Sequence, residues 1–146
     1  PTGDLVMKRS VLFVCTGNSA RSQMAEALLR SQASHLFDVF SAGTHPEPVD
    51  PRAIEALSRL DIDATGLQSK SLDTFAGRTL DYVISLCDKA QQECKQFPNA
   101  GQLMAWDFED PKTREGLKPF DRTLHELNDR IKMFLLVQTK SERGSE

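Results

Sequence analysis

A short apolar run, from Val11 to Cys15, leads directly into a small polar loop and then into a helical pattern, and this succession constrains the fold most strongly. The run is typical of a fully buried strand. Residues 16–22 are small and polar, which indicates a loop. Apolar side chains then recur at helical spacing from Gln23 to Leu36, which predicts a helix. A strand followed at once by a helix is typical of α/β proteins.

The rest of the chain continues this alternation. Three more apolar runs predict strands, at residues 39–42, 80–86 and 102–106. The second of these runs is apolar enough to be central in a sheet. Asp50 and Pro51 mark the start of a helix, because Asp caps free N–H groups and Pro suits the first turn. From Phe120 to Phe134, apolar residues at steps of three and four predict a C-terminal amphipathic helix. Strands alternating with helices predict a parallel sheet that is covered on both faces.

Length and charge exclude several classes of partner. The chain has 146 residues and a formal net charge of -3, without a long block of like charge, so we expect no nucleic-acid partner. The size suits a single domain, which we place at residues 8–140, and a monomer is the default expectation. Residues 1–6 precede Met7 and are interpreted as a tail. With no signal peptide and no stretch near the ~20 apolar residues of a membrane span, we expect a cytoplasmic protein and no membrane partner.

Five residues separate Cys15 from Arg21 at the end of the first strand. Such a loop can turn its backbone N–H groups inward, and the helix behind it adds the positive end of its dipole. Gly17 allows the backbone to approach a ligand closely, and Arg21 can direct two N–H groups at one oxyanion. The same field favours the thiolate form of Cys15, to which Ser22 can donate its hydroxyl. The pattern predicts a cradle for a tetrahedral anion, and the alternative is a turn around a buried cysteine.

The run from Val14 to Glu26 is similar to the phosphate loop of low-molecular-weight tyrosine phosphatases, and still more similar to that of their arsenate reductase relatives. Residues 40–44 and 81–84 also match, and the resemblance extends over nearly the whole chain. It implies a single three-layer α/β domain with a four-stranded parallel sheet, and a nucleophile between the first strand and the first helix. It also implies that the oxyanion is bound by the loop residues Thr16, Gly17, Asn18, Ser19, Ala20, Arg21 and Ser22.

Asp110 and Pro111 follow the fourth predicted strand. By the resemblance, Asp110 is the general acid that protonates the departing oxygen from a mobile loop over the pocket. Glu109 is the neighbouring alternative for this role. A surface turn made by Asp and Pro is the explanation that needs no catalysis.

Cys87 and Cys94 are too far apart in sequence for an ordinary zinc pair, and the three histidines cluster with neither of them. The sequence therefore predicts no metal site. If the segment between them is helical when reduced, its ends are about 10 Å apart. A disulfide needs Cα atoms within ~7 Å, so the segment would have to unwind to form one. The alternative is two inert cysteines.

The resemblance assigns Cys15, Cys87 and Cys94 to a thiol relay that reduces arsenate to arsenite. Cys15 forms a covalent adduct with arsenic, Cys87 attacks the sulfur of Cys15, and Cys94 then attacks Cys87. The final disulfide is handed to thioredoxin, with glutaredoxin as the alternative that the cysteine spacing favours less. No cofactor is expected, and phosphate and sulfate are expected to compete with arsenate.

Two departures from the phosphatases bear on the competing function. Lys112 stands beside the proline loop, where phosphatases carry aromatic residues, and Ala20 stands where they carry a second cysteine. Both argue against a dedicated tyrosine phosphatase, which remains the alternative because it needs only Cys15, Arg21 and Asp110. This set fits poorly with a third hypothesis, a non-catalytic oxyanion sensor.

One further departure concerns potassium, which some arsenate reductases of this family bind near the loop. Asn18, Glu26 and Ser41 match three of the ligands, but Lys70 stands where the fourth, an Asp, is expected. The ammonium of Lys70 can take the place of the ion, so no potassium site is predicted. Asn18 and Glu26 are then interpreted as hydrogen-bonding residues that shape the loop.

Overall fold

The computed structural model describes residues 8–94 and 100–144, and for residues 93, 94 and 140–144 it describes the backbone alone. Strands and helices alternate along these residues. The elements are β1 (Arg9–Cys15), α1 (Arg21–Ala33), β2 (Phe37–Gly43), α2 (Pro51–Arg59), β3 (Leu80–Ser85), α3 (Asp88–Cys94), β4 (Ala100–Ala105) and α4 (Pro119–Gly144). A 3-10 turn, Leu72–Phe75, precedes β3. The predicted tail at residues 1–6 lies outside the described residues.

The four strands form one parallel sheet in the order β2-β1-β3-β4. The prediction of a four-stranded parallel sheet flanked by helices is confirmed, as is the central place of the third strand. Residues 11–15 of β1 are almost completely buried, because β1 has a strand on each side and helices over both faces. The edge strand β4 is mostly exposed by contrast.

Side chains of β1 alternate between two apolar layers. Phe13 and Cys15 point into the layer under α1, α2 and α4, whereas Leu12 and Val14 point into the layer under α3 and the 3-10 turn. The first layer contains a group of aromatic rings with centroids 5.2–6.4 Å apart, made by Phe13, Phe37, Tyr82, Trp106 and Phe134. This alternation directs the thiol of Cys15 towards the start of α1.

The register of the sheet brings four loops together at one edge. Cys15 pairs with Gly43 across β1 and β2, Val14 pairs with Ser85 across β1 and β3, and Ser85 pairs with Ala105 across β3 and β4. All four strands therefore end level with one another. The loops that follow them meet beyond the carboxyl ends of the strands, where ligands bind in open α/β sheets.

Helix α1 differs from its prediction at both ends. It begins at Arg21 instead of Gln23, and it ends at Ala33 instead of Leu36. Leu36 packs against the core from a turn whose N–H donates to the carbonyl of Ala33, so its apolar character reflects burial outside the helix. Helix α2 starts at Pro51 with Asp50 as its cap, as predicted. No helix in the described part of the chain is long and apolar enough to cross a bilayer.

We predict that the cap at Asp50 stabilises α2 in a pH-dependent way. Its carboxylate pairs with the Arg52 side chain at 2.8 Å and accepts the Arg52 backbone N–H at 2.9 Å. These bonds hold the pKa of Asp50 below its ordinary value. The stabilisation is therefore present above the unfolded-state pKa of about 3.9 and is lost as the pH falls through the lower, folded-state pKa.

Asp50→Ala should lower the free energy of unfolding by about 1 kcal/mol at pH 7 and by less at pH 3. Urea unfolding at the two pH values measures the difference. Asp50→Asn, which keeps a hydrogen-bond acceptor at the cap, is the matched control and should lose less at pH 7. Equal losses for Asp50→Ala at both pH values would contradict the prediction.

Candidate active site

The loop after Cys15 turns its carbonyl groups outward. Segment 44–50, which follows β2, runs alongside the loop and donates backbone N–H groups to it. The donor and acceptor pairs are Thr44 to Cys15 (3.2 Å), His45 to Thr16 (2.8 Å), Glu47 to Gly17 (2.8 Å) and Asp50 to Ser19 (2.9 Å). The carbonyl of Asn18, between these acceptors, accepts the side-chain amide of Gln23 at 2.9 Å.

This pairing leaves the N–H groups of the loop directed at its centre. In a trans peptide the C=O and N–H groups point in opposite directions, and the described residues contain no cis peptide. Carbonyls held outside therefore place the N–H groups of residues 16–20 inside. Helix α1 begins at Arg21 without a side-chain cap and without an acidic residue in its first turn. The amides of the loop and of the first helical turn together favour a tetrahedral oxyanion at the loop centre.

A directed chain of hydrogen bonds leads to the thiol of Cys15. The backbone N–H of Lys70 donates to Asn18 Oδ1 at 2.8 Å, and Asn18 Nδ2 donates to Ser22 Oγ at 2.7 Å. Because Ser22 Oγ accepts from Asn18, its own hydrogen is available for Cys15 Sγ, 2.9 Å away. Asn18 adopts the left-handed backbone conformation, with φ of 48°, which Asn tolerates better than most residues. The chain thus directs a hydroxyl hydrogen at the sulfur of Cys15.

Arg21 and Asp110 meet at the opening of the loop. Arg21 Nη1 donates to the carbonyl of Phe108 at 3.0 Å, and Arg21 Nη2 lies 3.8 Å from Asp110 Oδ2. Glu109, the alternative acid, points elsewhere and lies 3.7 Å from Arg114. Of the two neighbouring carboxylates, Asp110 alone lines the cavity over the loop.

The cavity over the loop has a volume of about 210 Å³. Its lining consists of Cys15, Thr16, Gly17, Ser19, Ala20, Arg21, Glu47, Asp110 and Lys112. The structure thus brings the predicted nucleophile, arginine and acid together around one space. The side chains of Asn18 and Ser22 are buried behind the loop, where they support it. Two larger open grooves, beside Ile62 and Phe120, contain none of these residues.

The sequence indicates no binding role for three residues of this site, although Lys112 is noted there as a departure from the phosphatases. Gly43 lies against the back of the loop, and Glu47 and Lys112 line the cavity. The place of Lys112 directly after Asp110 and Pro111 was a usable signal. Gly43 and Glu47 reach the loop only through the pairing of β1 with β2, which no local pattern indicates.

Cys87 lies between β3 and α3 with its thiol close to the loop. Its Sγ is 3.5 Å from Thr16 Oγ1, and its carbonyl accepts the N–H of Gln91 at 3.0 Å as α3 begins. Cys94 is the last residue of α3, and its thiol lies outside the described side chains. The segment between the two cysteines is helical, so their Cα atoms are about 10 Å apart by the rise of a helix.

Lys70 places an ammonium group behind the loop, where the resemblance raised the question of potassium. Its Nζ donates to the carbonyl of Gln68 at 2.7 Å and lies 3.9 Å from Glu26 Oε1, which also accepts the hydroxyl of Ser41 at 2.6 Å. Burial lowers the pKa of Lys70, and the carboxylate of Glu26 opposes that shift. A potassium ion does not fit these residues, because it would lie against a second cation. Among the described residues, no group of three or more His, Cys, Asp or Glu side chains can hold a metal.

The loop, its arginine and its acid can be compared with known proteins. A family model described as low molecular weight phosphotyrosine protein phosphatase matches residues 10–144. The chain belongs to this family. An arsenate reductase of Bacillus cereus is 37% identical over 127 residues, which are 87% of this chain and 94% of that protein.

Two solved structures of arsenate reductases have a similar fold. One, described as being in the phosphate-binding state, has a TM-score of 0.73 and 29% identity, and the match covers 86% of this chain and 95% of that one. The other, a thioredoxin-dependent arsenate reductase of Corynebacterium glutamicum, has a TM-score of 0.76 and 27% identity, and the match covers 99% of this chain and 67% of that one. The family predicted from the loop sequence is confirmed.

We predict that Gly43→Ala disrupts the loop. A Cβ at Gly43 would lie 2.7 Å from the carbonyl oxygen of Thr16 and 2.8 Å from the backbone nitrogen of Asn18. Neither backbone atom can withdraw without moving the loop. The substitution should lower the free energy of unfolding by about 1–3 kcal/mol. It should also weaken the protection that bound inorganic phosphate gives Cys15 against an alkylating reagent.

Gly101→Ala is the matched control for this prediction, because it makes a similar clash away from the loop. Its Cβ would lie 2.8 Å from the carbonyl oxygen of Asp81, so the substitution should lower stability and leave the protection of Cys15 unchanged. Mass spectrometry of the alkylated Cys15 peptide measures protection, and urea unfolding measures stability. The account of the loop is contradicted if Gly43→Ala retains full protection by phosphate.

Proposed function

We propose that this protein reduces arsenate to arsenite at Cys15 and that thioredoxin returns it to the reduced state. The observation that carries the proposal is the thiol of Cys87, 3.5 Å from the hydroxyl of Thr16 on the oxyanion loop. Phosphatase chemistry needs one cysteine, whereas reduction needs thiols that can supply two electrons. The Bacillus cereus relative named arsenate reductase supports the same function.

The first step is attack of the Cys15 thiolate on the arsenic of bound arsenate. A sulfur–arsenic bond forms, one arsenic–oxygen bond breaks, and the oxygen leaves as water after protonation by Asp110. Asp110 lines the cavity on a loop that is joined to Arg21 by a contact of 3.8 Å. Arg21 and the inward amides of residues 16–20 hold the remaining oxygens.

The second step is attack of the Cys87 thiolate on the sulfur of Cys15. A sulfur–sulfur bond forms, the sulfur–arsenic bond breaks, and its electron pair stays on arsenic, so As(V) becomes As(III) and arsenite leaves. β1 and β3 are neighbours in the sheet, and Val14 pairs with Ser85. Cys15 therefore ends β1, and Cys87 lies shortly beyond the end of the neighbouring strand β3, which favours their direct reaction.

The third step is attack of Cys94 on the sulfur of Cys87, with the Cys15 thiolate as leaving group. Ser22, 2.9 Å from Cys15, can donate its hydrogen to that thiolate. Because α3 holds the Cα atoms of Cys87 and Cys94 about 10 Å apart, the helix must unwind before the bridge closes. Unwinding moves the bridge towards the surface, where a dithiol protein such as thioredoxin can reduce it.

The extent of the domain, its location, its competing ligands and its reductant belong to the same proposal. We place the domain at residues 8–140 and expect it to act as a monomer. We expect it in the cytoplasm, because the relay needs thiols that are reduced at rest. Phosphate and sulfate compete with arsenate for the loop, and they cannot complete the second step. Thioredoxin is the proposed reductant, supported by the related thioredoxin-dependent enzyme of Corynebacterium glutamicum, with glutaredoxin as the alternative.

A tyrosine phosphatase is the second candidate function, and the family assignment favours it. It would use Cys15, Arg21 and Asp110 and leave Cys87 and Cys94 idle. The cavity opening argues against a phosphotyrosine substrate, because it is lined by the charged side chains of Glu47 and Lys112 rather than by aromatic rings.

We predict that each of the three cysteines is required for multiple turnover. With arsenate, thioredoxin, thioredoxin reductase and NADPH, the single Cys-to-Ser variants at 15, 87 and 94 should lose arsenate-dependent NADPH oxidation by roughly a thousandfold or more. Phosphate should still protect Cys15 from alkylation in the variants at 87 and 94, which shows that the loop is intact. A parallel assay with glutaredoxin and glutathione tests the reductant.

Full turnover of Cys94→Ser with thioredoxin would contradict the three-cysteine relay. Rapid hydrolysis of p-nitrophenyl phosphate by Cys87→Ser, combined with no arsenate-dependent NADPH oxidation by the unmodified protein, would assign the chain to the phosphatases.

A further inference from the structure

Two ion pairs flank the cavity over the loop. Arg21 lies 3.8 Å from Asp110, and Lys112 lies 3.9 Å from Glu47. All four side chains line the same cavity of about 210 Å³. Each cation at the opening is therefore held by a carboxylate. The first pair belongs to the mechanism already described, and the second pair has no role in it.

Both members of the second pair are anchored by their backbones to catalytic elements. The N–H of Lys112 donates to Asp110 Oδ1 at 3.0 Å, so Lys112 moves with the acid loop. The N–H of Glu47 donates to the carbonyl of Gly17 at 2.8 Å, so Glu47 is attached to the oxyanion loop. Their contact links the two loops across the opening.

The position of Glu47 is unfavourable for anion binding. Its Oε1 would lie only 3.0 Å from a Cβ on Gly17, so a carboxylate lies over the edge of a loop whose amides attract anions. A negative charge there repels an entering oxyanion. Lys112 partly cancels this charge, but its long flexible side chain can also leave Glu47 and reach an anion in the cavity they share.

We propose that Lys112 is a second oxyanion-binding cation and that Glu47 is the counter-ion it leaves when the oxyanion enters. The inference rests on the proposed function only for the identity of the oxyanion. In inorganic phosphate and arsenate the oxygen that faces the opening carries no organic substituent, so it can share the negative charge of the anion. Lys112 pairs with that outer oxygen, whereas Arg21 and the loop amides hold the inner ones.

This arrangement selects small inorganic oxyanions over phosphate esters. In an aryl phosphate the oxygen that faces the opening carries an apolar substituent instead of a charge. That substituent would lie between Lys112 and Glu47. It would separate their charges without making a polar contact that compensates for the loss. Lys112 is thus a specificity-determining residue of the site.

The test is the concentration of inorganic phosphate that half-protects Cys15 from iodoacetamide, measured at fixed pH and low ionic strength by mass spectrometry of the Cys15 peptide. Lys112→Met keeps the length of the side chain and removes its charge. It should raise the half-protecting concentration by roughly tenfold, the order expected for one charge-assisted contact at a partly exposed site.

Glu47→Gln should lower the half-protecting concentration by about threefold, because Lys112 is then released. Lys132→Met, an equal charge change at an exposed position of α4 outside the cavity, is the control and should leave it unchanged.

The double variant Lys112→Met with Glu47→Gln separates the two residues. The proposal predicts that Glu47→Gln improves protection less in the Lys112→Met background than in the unmodified protein. Protection by phosphate within twofold of the unmodified protein in Lys112→Met, or an equal effect of Glu47→Gln in both backgrounds, would overturn the proposal. The readout does not involve arsenic reduction. A protein that fails to reduce arsenate but shows these shifts would refute the proposed function and keep this inference.

Discussion

The pairing of segment 44–50 with the loop after Cys15 is the interaction on which the rest of the site depends. Four backbone N–H groups of this segment, together with the side chain of Gln23, hold five consecutive loop carbonyls on the outside. Because each peptide unit points its two polar groups in opposite directions, the amides are left inside. The anion site is thus made mainly of backbone, and its geometry follows from how β2 continues beyond Gly43.

The parallel sheet explains why the residues of the proposed thiol chemistry lie together. The four strands end within about one residue of one another, so the loop after Cys15, the loop with Asp110 and the start of α3 share one end of the sheet. β1 and β3 are buried neighbours, which fixes the relative positions of Cys15 and Cys87. Helix α3, by contrast, is short and must unwind in the proposed relay. The proposed reaction binds its oxyanion once and then passes through several thiol steps. It therefore needs a well-defined oxyanion site next to a short helix that can unwind and re-form.

Much of this could be predicted from the sequence, because the signals are local. The apolar run ending at Cys15, the spacing to Arg21 and the Asp50 cap each lie within a few residues, and the structure places them as predicted. Gly43 and Glu47 could not be identified, since their roles arise from contacts with the loop made across β1 and β2. Helical periodicity predicts that α1 extends to Leu36, whereas the helix ends earlier. Leu36 is apolar because it packs against the core from a turn, and periodicity cannot separate that cause from burial within a helix.

The roles of two charged residues likewise depend on contacts that are made only in the fold. From the sequence, Lys70 stood out only as a departure from a ligand set, and the structure shows its ammonium 3.9 Å from the buried carboxylate of Glu26. Lys112 stood out only as a missing aromatic residue, and the structure places it across the opening from Glu47. In both cases the sequence indicates that a relative's feature is absent, and only the fold indicates what replaces it.

The most direct test of the central claim is a disulfide map of the fully reduced protein after incubation with arsenate alone. Free thiols are counted before and after, and any bridge is located by mass spectrometry. The account predicts the loss of two thiols and a bridge between Cys87 and Cys94, with Cys15 returned to its free form. An unchanged thiol count, in a protein that readily hydrolyses p-nitrophenyl phosphate, would contradict it.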